Sequence, residues 1–489
     1  MDKINLLLIA TILAIPVLLW ALKFVNGRPF SEPQRDTLVI WIYFLISIVI
    51  IRALVGIILI ISNRELYGVA AFYPIRIAYP NYDILRGVGY LLPFAILVSY
   101  LPKISHIVFN GRLKPLKIWL FSVVILLMFG AIHGGIIGGN TVLSNSEHHL
   151  FDTRINPNIE DTFATHTDRI AKKIEPSYQA PHTMSHPATA LVYWQVFRET
   201  TNAFVFSAIN VCLFSLAFPL IYWALRRVKD STLAAQVTLF SIFIPSFLIY
   251  GRCDDAVFYA VAVSTMVFTS LFINEKKYTY LALAAFTLAV GLHFSYAALV
   301  LFPLVLSFNT EIKLRGLGIY LKSILIPSIL MALLTLVFLY VYSTVTHFNL
   351  YESFAASVNH NSGSNIISLF NQGKFERIFN DRFMAFSDFL LFGGPVFLFL
   401  LFRGIRGFNL KFMEWKLRTV SLSVLLLVLF INSNGPGEVA RPWGMLFVLI
   451  AFIWVRDLFE REPERYGWWA LRMQLIWGLV LQTFLHFSF

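Results

Sequence analysis

Apolar runs long enough to cross a lipid bilayer recur along almost the whole chain. A helical span needs about 20 mainly apolar residues, because the hydrocarbon core is about 30 Å thick and each helical residue rises about 1.5 Å. Such runs include residues 4–25, 87–108, 118–138, 233–250, 256–273 and 468–484. Only 13% of the 489 residues are charged, against roughly 25% in a soluble domain. We therefore expect an all-α, polytopic membrane protein with about 13–14 transmembrane helices.

Lysine and arginine concentrate in short connections between the apolar runs. The clearest examples are RRVKD after Leu225, NEKK after Ile273 and RGIRGFNLKFMEWKLR after Phe402. Because short basic loops stay on the cytoplasmic side of a membrane, these connections predict the orientation of the chain. They also account for the net charge of +12, which is therefore not a sign of nucleic-acid binding.

One long polar segment, residues 140–186, interrupts the apolar runs. The orientation places it on the extracytoplasmic face, in a loop that we assign to residues 139–202. Four more polar elements fall on the same face: the turn GRCDD, His293, a second long loop and the segment GEVARPW, at residues 251–255, 293, 344–386 and 437–443. We therefore expect the chemistry to occur on the extracytoplasmic side of a multi-pass protein of the plasma membrane.

Carboxylates of the first loop are candidate general bases. Asp152, which has Arg154 close by in HHLFDTR, could accept a proton from an acceptor hydroxyl. Asp161, the neighbouring Glu160 and Asp168 are further candidates for the same role. The alternative is that these carboxylates form ordinary salt bridges in the loop and have no catalytic role.

The turn GRCDD carries two adjacent carboxylates, Asp254 and Asp255. Adjacent carboxylates repel each other unless a positive group is near. That group is either Arg252 or a divalent cation, Mg²⁺ or Mn²⁺, held by oxygen ligands. Solvation at a loop tip is the simpler alternative, and no cofactor beyond this cation is predicted.

Two further motifs carry groups that suit a phosphorylated substrate. Arg441 in GEVARPW could neutralise a phosphate leaving group, although a local ion pair with Glu438 explains it equally well. His186 precedes Pro187 and opens the amphipathic stretch HPATALVYWQVFRE, which predicts an interfacial helix. Zinc binding by His186 would need a helix upstream of the proline, so we expect this histidine to bind a substrate or to form a turn.

His293 interrupts an apolar run that is too long for one straight span, residues 278–308. The interruption predicts two short helices that meet at the extracytoplasmic face. A buried histidine with satisfied hydrogen bonds is the alternative to a substrate-binding role.

In order and placement, these motifs resemble the GT-C superfamily of integral-membrane glycosyltransferases, which use polyprenyl-phosphate-linked sugars. The resemblance covers residues 118–489 and leaves residues 1–117 as an N-terminal three-span extension. It implies that Asp152 stands at the catalytic-acid position of the first loop and that GRCDD supplies the acidic pair of the second. SHPATALVYW looks like the His-Pro-Pro sequence of the family, with Ala188 in place of the second proline.

The resemblance implies a hexosyltransferase, similar to mannosyltransferases, that moves a sugar from a polyprenyl-phosphate donor to a glycan, lipid or protein acceptor within the membrane lipids. Asp152 and Asp161 would be catalytic, and the groups that bind substrate or phosphate would be Arg154, His186, Arg252, Asp254, Asp255, His293, Glu438 and Arg441. Two alternatives stay open. A polysaccharide polymerase or ligase would use lipid-diphosphate-linked chains, and a lipid or solute transporter would place polar groups near the middle of the membrane.

Overall fold

The computed structural model describes residues 16–27, 29, 32–61, 75–77, 84–132, 134–140, 163, 187–200, 202–227, 230–253, 255–296, 298, 317–361, 370–373, 389–397 and 467–487. The principal helices in these ranges are α1 (Pro16–Asn26), α2 (Glu32–Ile61), α3 (Ile84–Phe109), α4 (Lys114–Ala131), α5 (Ala188–Thr200), α6 (Ala203–Ser215), α7 (Ala217–Leu225), α8 (Ser231–Ile242), α9 (Pro245–Tyr250), α10 (Asp255–Glu275), α11 (Tyr278–Phe294), α12 (Leu317–Thr346), α13 (Leu350–Asn361) and α14 (Trp468–Phe484). Two short strands, β1 (Ile75–Ile77) and β2 (Leu485–Phe487), pair antiparallel. The all-α prediction describes the bundle, and this strand pair was not predicted.

Five helical stretches in the described ranges are long and apolar enough to cross a membrane. They are Gly89–Phe109, Lys114–Ala131, Ala203–Leu225, Asp255–Phe272 and Leu325–Thr346. Shorter apolar helices accompany them in α1, α2, α8 and α11. The chain is therefore an α-helical polytopic membrane protein. The predicted total of about 13–14 spans includes runs outside the described residues and stays a prediction.

The span predicted for residues 118–138 is shorter than expected, because α4 ends at Ala131. Two glycines cause the break: Gly134 has φ +127° and Gly135 has φ +84°, values that side chains with a Cβ rarely adopt. Residues 135–140 form a short second helix that brings Gly139 back against Gly130. The break thus turns the chain at the point where the long polar segment begins.

Other predicted boundaries were partly right. The span predicted for residues 233–250 divides into α8 and α9 before Pro245, because proline lacks the N–H that a continuous helix requires. The predicted interruption near His293 is confirmed for its first half, since α11 ends at Phe294 and Ser295 is extended. The second long loop contains an amphipathic helix, α13, that was not predicted.

Aromatic side chains fill the centre of the bundle. The Phe214 ring lies 5.1 Å from the Phe218 ring, 4.8 Å from the Phe247 ring and 5.6 Å from the Tyr259 ring. Ring centroids at these separations pack in the favourable tilted and edge-to-face geometries. The contacts join α6 and α7 to α9 and α10, so the helices that carry the candidate site share one core.

The C-terminal helix α14 joins this core to the N-terminal spans. The Trp477 ring packs edge-on against Trp41 and Phe44 of α2, with centroids 5.4 and 4.9 Å apart. Arg472 donates to the main-chain carbonyl of Val98 at 2.8 Å. The two parts of the chain on either side of the predicted boundary at residue 117 are therefore in direct contact in the structure.

The helices present two chemically different ends. At one end, Tyr222 donates to the carbonyl of Phe109, and Arg227 pairs with Glu275 and bonds Tyr280. We call this the basic end; it holds the ends of α3, α7 and α10 and the beginnings of α4, α8 and α11. The opposite, polar end holds the ends of α4, α9, α11 and α12 and the beginnings of α5, α6 and α10.

Candidate functional site

The long polar segment begins from a tightly held point at the polar end. Asn140 is fully buried, and its side-chain amide donates to the carbonyls of Leu127 at 3.0 Å and Ile136 at 2.6 Å. Ser207 of α6 donates to the Asn140 carbonyl at 2.6 Å. Buried polar groups need such partners in a membrane protein. The bonds fix the position of the residue at which the long polar segment begins.

Arg252 connects this point to the turn that carries the predicted acidic pair. Its side chain is 2% exposed. One guanidinium nitrogen, Nη1, donates to the carbonyl of Gly139 at 3.1 Å, while Nε and Nη2 donate to the carbonyl of Ile249 at 3.2 and 3.1 Å. Burial lowers the pKa of Arg252 to about 10, so the group still carries its charge at neutral pH. The structure therefore places this residue in the predicted region, with its donors bound to main-chain carbonyls.

One of the two predicted metal-binding carboxylates can be placed. Asp255 begins α10 and is 8% exposed. The Cys253 thiol donates to it over 3.8 Å, measured from Sγ to Oδ2. A carboxylate in the first turn of a helix is stabilised by the partial positive charge of that end. Within the described ranges, histidine, cysteine and acidic side chains form no group of three that could hold a metal ion, so metal binding stays a prediction.

Asn210 and Tyr193 link the Arg252 turn to the end of α11. Asn210 donates to the carbonyl of Arg252 at 3.3 Å and accepts from the Tyr193 hydroxyl at 2.6 Å. The Tyr193 ring lies 5.6 Å from the Phe294 ring. Sequence reasoning missed both residues. The available signal was Asn210 itself. An amide within an apolar span is energetically costly, so its presence indicates a polar partner or a functional role.

His293 lies next to Phe294 and packs with Tyr342 and Phe348 in a group of rings that we call the His293 wall. It is 4% exposed, and its ring centroid lies 3.8 Å from that of Tyr342. Neither ring nitrogen has a hydrogen-bond partner among the described residues. The Tyr342 hydroxyl, by contrast, forms a 2.7 Å hydrogen bond with Thr189 in the first turn of α5. A buried group with unused donor and acceptor capacity needs an explanation, because leaving it unpaired costs about 1–3 kcal/mol.

Phe163 brings the long polar segment to the same wall. Its ring centroid lies 6.3 Å from the Tyr342 ring and 6.0 Å from the Phe348 ring. The Phe348 ring in turn lies 6.5 Å from His293. Two residues of the long polar segment, Asn140 and Phe163, therefore both pack at the polar end of the bundle.

A second hydroxyl pair joins α13 to the residues that follow α11. Tyr296 and Ser353 of α13 share a 2.5 Å hydrogen bond, and the Tyr296 ring lies 5.3 Å from the Phe354 ring. Burial raises the pKa of Tyr296 to about 12, although the bond to Ser353 acts the other way. The phenol therefore remains protonated at neutral pH, and α13 is held against the end of α11.

Three of the ten predicted site residues, Arg252, Asp255 and His293, are thus found at one end of the bundle. A chain of contacts through Asn210, Tyr193 and Phe294 connects them. The other seven lie outside the described residues, and their predicted roles stay predictions: Asp152, Arg154, Asp161, His186, Asp254, Glu438 and Arg441.

Comparison of the chain with protein-family models, with curated proteins and with solved structures found no match. The resemblance to the GT-C superfamily therefore depends on the order and placement of motifs in this sequence. Independently of that resemblance, the described residues form an α-helical polytopic membrane protein that gathers buried polar and aromatic groups at one end.

Proposed function

We propose that the protein is a membrane glycosyltransferase that transfers a sugar from a polyprenyl-phosphate carrier to an acceptor at the polar end. The observation that carries the proposal is the meeting of three elements distant in sequence. These are the turn at residues 251–255, the His293 wall and the long polar segment, represented by Asn140 and Phe163. A two-substrate transfer needs such a convergence, because base, leaving-group site and sugar site must meet around one bond.

In the proposed reaction, the acceptor hydroxyl attacks the anomeric carbon of the donor sugar. Asp152, or Asp161, takes the hydroxyl proton as the new C–O bond forms. The bond from the anomeric carbon to the phosphate oxygen breaks, and the lipid phosphate leaves with the electron pair. Positive charge placed at that oxygen lowers the barrier.

Arg441 and the acidic pair are the proposed contacts of the leaving phosphate, the acids acting through a bound cation. Arg252 has a different role in this scheme, because its donors hold the carbonyls of Gly139 and Ile249. It positions the turn that carries Asp254 and Asp255 relative to the start of the polar segment.

The His293 wall is the proposed sugar site. A pyranose has apolar C–H faces that suit aromatic rings and hydroxyls that need neutral hydrogen-bond partners. Tyr342 supplies a ring 3.8 Å from the imidazole, and His293 supplies two buried ring nitrogens without a described partner. An imidazole buried among aromatic rings favours its neutral form, which offers one donor and one acceptor.

The first test is a transfer assay on isolated membranes with a fluorescent polyprenyl-phosphate sugar. Asp152→Asn is expected to lower the rate by roughly 100-fold or more, because an amide cannot accept the proton. Glu352→Gln is the control, since Glu352 is exposed on α13 and has no part in the scheme. Unchanged transfer by Asp152→Asn would remove Asp152 from the mechanism, and an absence of transfer by the wild-type protein would remove the proposed function.

The second test separates the proposed sugar contact from a packing role of His293. His293→Phe is expected to lower transfer by roughly tenfold or more while the unfolding temperature stays equal or rises, because a buried unpaired polar group is replaced by an apolar ring. His293→Gln, which keeps a neutral donor and acceptor, is expected to retain more transfer. A drop in unfolding temperature with unchanged transfer would show that the imidazole serves packing alone.

A transporter is the second candidate, and the broken helices favour it. Transporters bind their cargo at interrupted helices, and this chain interrupts helices at Gly134–Gly135 and before Pro245. Proteoliposomes loaded with labelled lipid-linked sugar would distinguish the two. Movement of intact donor across the bilayer indicates a transporter, and formation of a new glycoside indicates a transferase. Dependence on a diphosphate donor would instead favour a polymerase or ligase.

A further inference from the structure

The basic end carries a cluster that the proposed transfer does not use. Four basic residues, Arg226, Arg227, Lys276 and Lys277, and one acid, Glu275, lie where α7 and α10 end and α11 begins. The cluster therefore has a net charge of +3. We call it the inner patch.

Arg227 is the fixed centre of the inner patch. Its guanidinium lies 4.2 Å from the centroid of the Trp223 ring, donates to the Tyr280 hydroxyl at 3.1 Å and pairs with Glu275. Lys277 pairs with the same carboxylate at 2.9 Å. Because two cations share one acid, the inner patch as a whole keeps a net positive charge, and the Arg226 side chain also hydrogen-bonds Tyr222. The nearby Asp230 carboxylate accepts from the Leu233 N–H as the cap of α8.

Aromatic side chains surround these charges at the surface. Tyr278 is 68% exposed and Trp223 is 37% exposed. Tryptophan and tyrosine with this mixed exposure concentrate at the depth of lipid headgroups. The spans Ala203–Leu225 and Asp255–Phe272 end here, so the charges stand where a bilayer presents its phosphates.

The turn between α10 and α11 places the charged Lys276 in an unfavourable backbone conformation. Lys276 has φ +56°, a left-handed conformation that glycine or asparagine adopts more readily. Its N–H donates to the Phe272 carbonyl at 2.7 Å, and its ammonium lies 5.9 Å from the Phe272 ring. A lysine in this position keeps a positive charge directly beside the end of the span.

We infer that the inner patch binds the headgroup of an anionic phospholipid. The cations supply the charge complement of a lipid phosphate, and the exposed aromatic rings lie alongside the acyl-chain boundary. This inference does not depend on the proposed glycosyl transfer, since it concerns the opposite end of the bundle.

The test is native mass spectrometry of the full-length protein with added phosphatidylglycerol or phosphatidylcholine. We expect the wild-type protein to retain phosphatidylglycerol in preference, and Arg226→Gln with Lys276→Gln to weaken that binding by roughly tenfold or more. The control is Lys103→Gln with Arg112→Gln, which removes the same charge from exposed residues outside the patch. The control is expected to keep the preference.

Three results would overturn the inference. The wild-type protein could bind both lipids equally, or the control could lose as much binding as the patch variant, which would indicate a general charge effect. Inorganic phosphate could also displace the lipid, which would indicate a site for a soluble anion. If the double variant does not fold, the single variant Lys276→Gln takes its place in the same comparison, since Lys276 is exposed.

Discussion

Replacement of Gly130 by alanine is expected to lower the stability of the protein by about 3 kcal/mol or more. A Cβ at this position would overlap Oδ1 of Asn140 and Nη1 of Arg252. Neither group can move freely, because Asn140 is bonded to two carbonyls and Arg252 to the carbonyl of Gly139. Overpacking alone costs about 1–3 kcal/mol, and disturbance of the buried guanidinium adds to it.

The measurement is thermal unfolding of the purified protein in detergent, followed by intrinsic fluorescence. Gly138→Ala is the matched control, since a Cβ at Gly138 meets nothing within 4 Å. We expect Gly138→Ala to unfold close to the wild-type temperature. Equal unfolding temperatures for Gly130→Ala and the wild-type protein would show that the glycine contact is not close-packed.

Replacement of Arg252 by methionine has the second large expected effect, a loss of about 2–4 kcal/mol. The substitution leaves the carbonyls of Gly139 and Ile249 without the donors that the structure shows. Removal of a buried charge offsets part of the loss, because a buried cation is itself costly. The stability of Arg252→Lys is expected to lie between those of the wild-type protein and Arg252→Met. One ammonium cannot reproduce the geometry of the three guanidinium nitrogens.

Unfolding temperatures of the two Arg252 variants, with exposed Lys103→Met as the control, test this order. If Arg252 positions the acidic turn, Arg252→Lys is also expected to lower kcat more than it raises KM in the transfer assay. The opposite pattern, a large rise in KM at normal stability, would return Arg252 to the phosphate-binding role that the sequence suggested.

The positions of most helices followed from the sequence, since α3, α10 and α14 lie within a few residues of the predicted runs. The length of each apolar run determines where these helices begin and end, and that length is read directly from the sequence. The early end of α4 was missed because a run of glycines within an apolar stretch is compatible with a straight helix. Gly134 and Gly135 permit the sharp turn, and the bond from Arg252 to the Gly139 carbonyl stabilises it.

The helix break near Gly394 is a second feature that the sequence alone does not predict. Gly394 has φ +86°, and Gln474 of α14 bridges the break: its amide donates to the Gly393 carbonyl at 2.6 Å and accepts from the Val396 N–H at 3.2 Å. The residues are about 80 positions apart, and nothing local in either segment predicts the contact. A polar side chain in a membrane helix indicates that a partner exists, without indicating which one.

The sequence alone determined that this chain crosses a membrane several times and that its polar segments alternate with apolar runs, because the bilayer selects spans by length and hydrophobicity. It also predicted which residue types could carry the chemistry. Tertiary structure alone decided that Arg252 holds the start of the polar segment, and that Phe163, Tyr342 and His293 meet. These outcomes depend on which helix ends pack together, and the energy of that packing comes from residues far apart in the sequence.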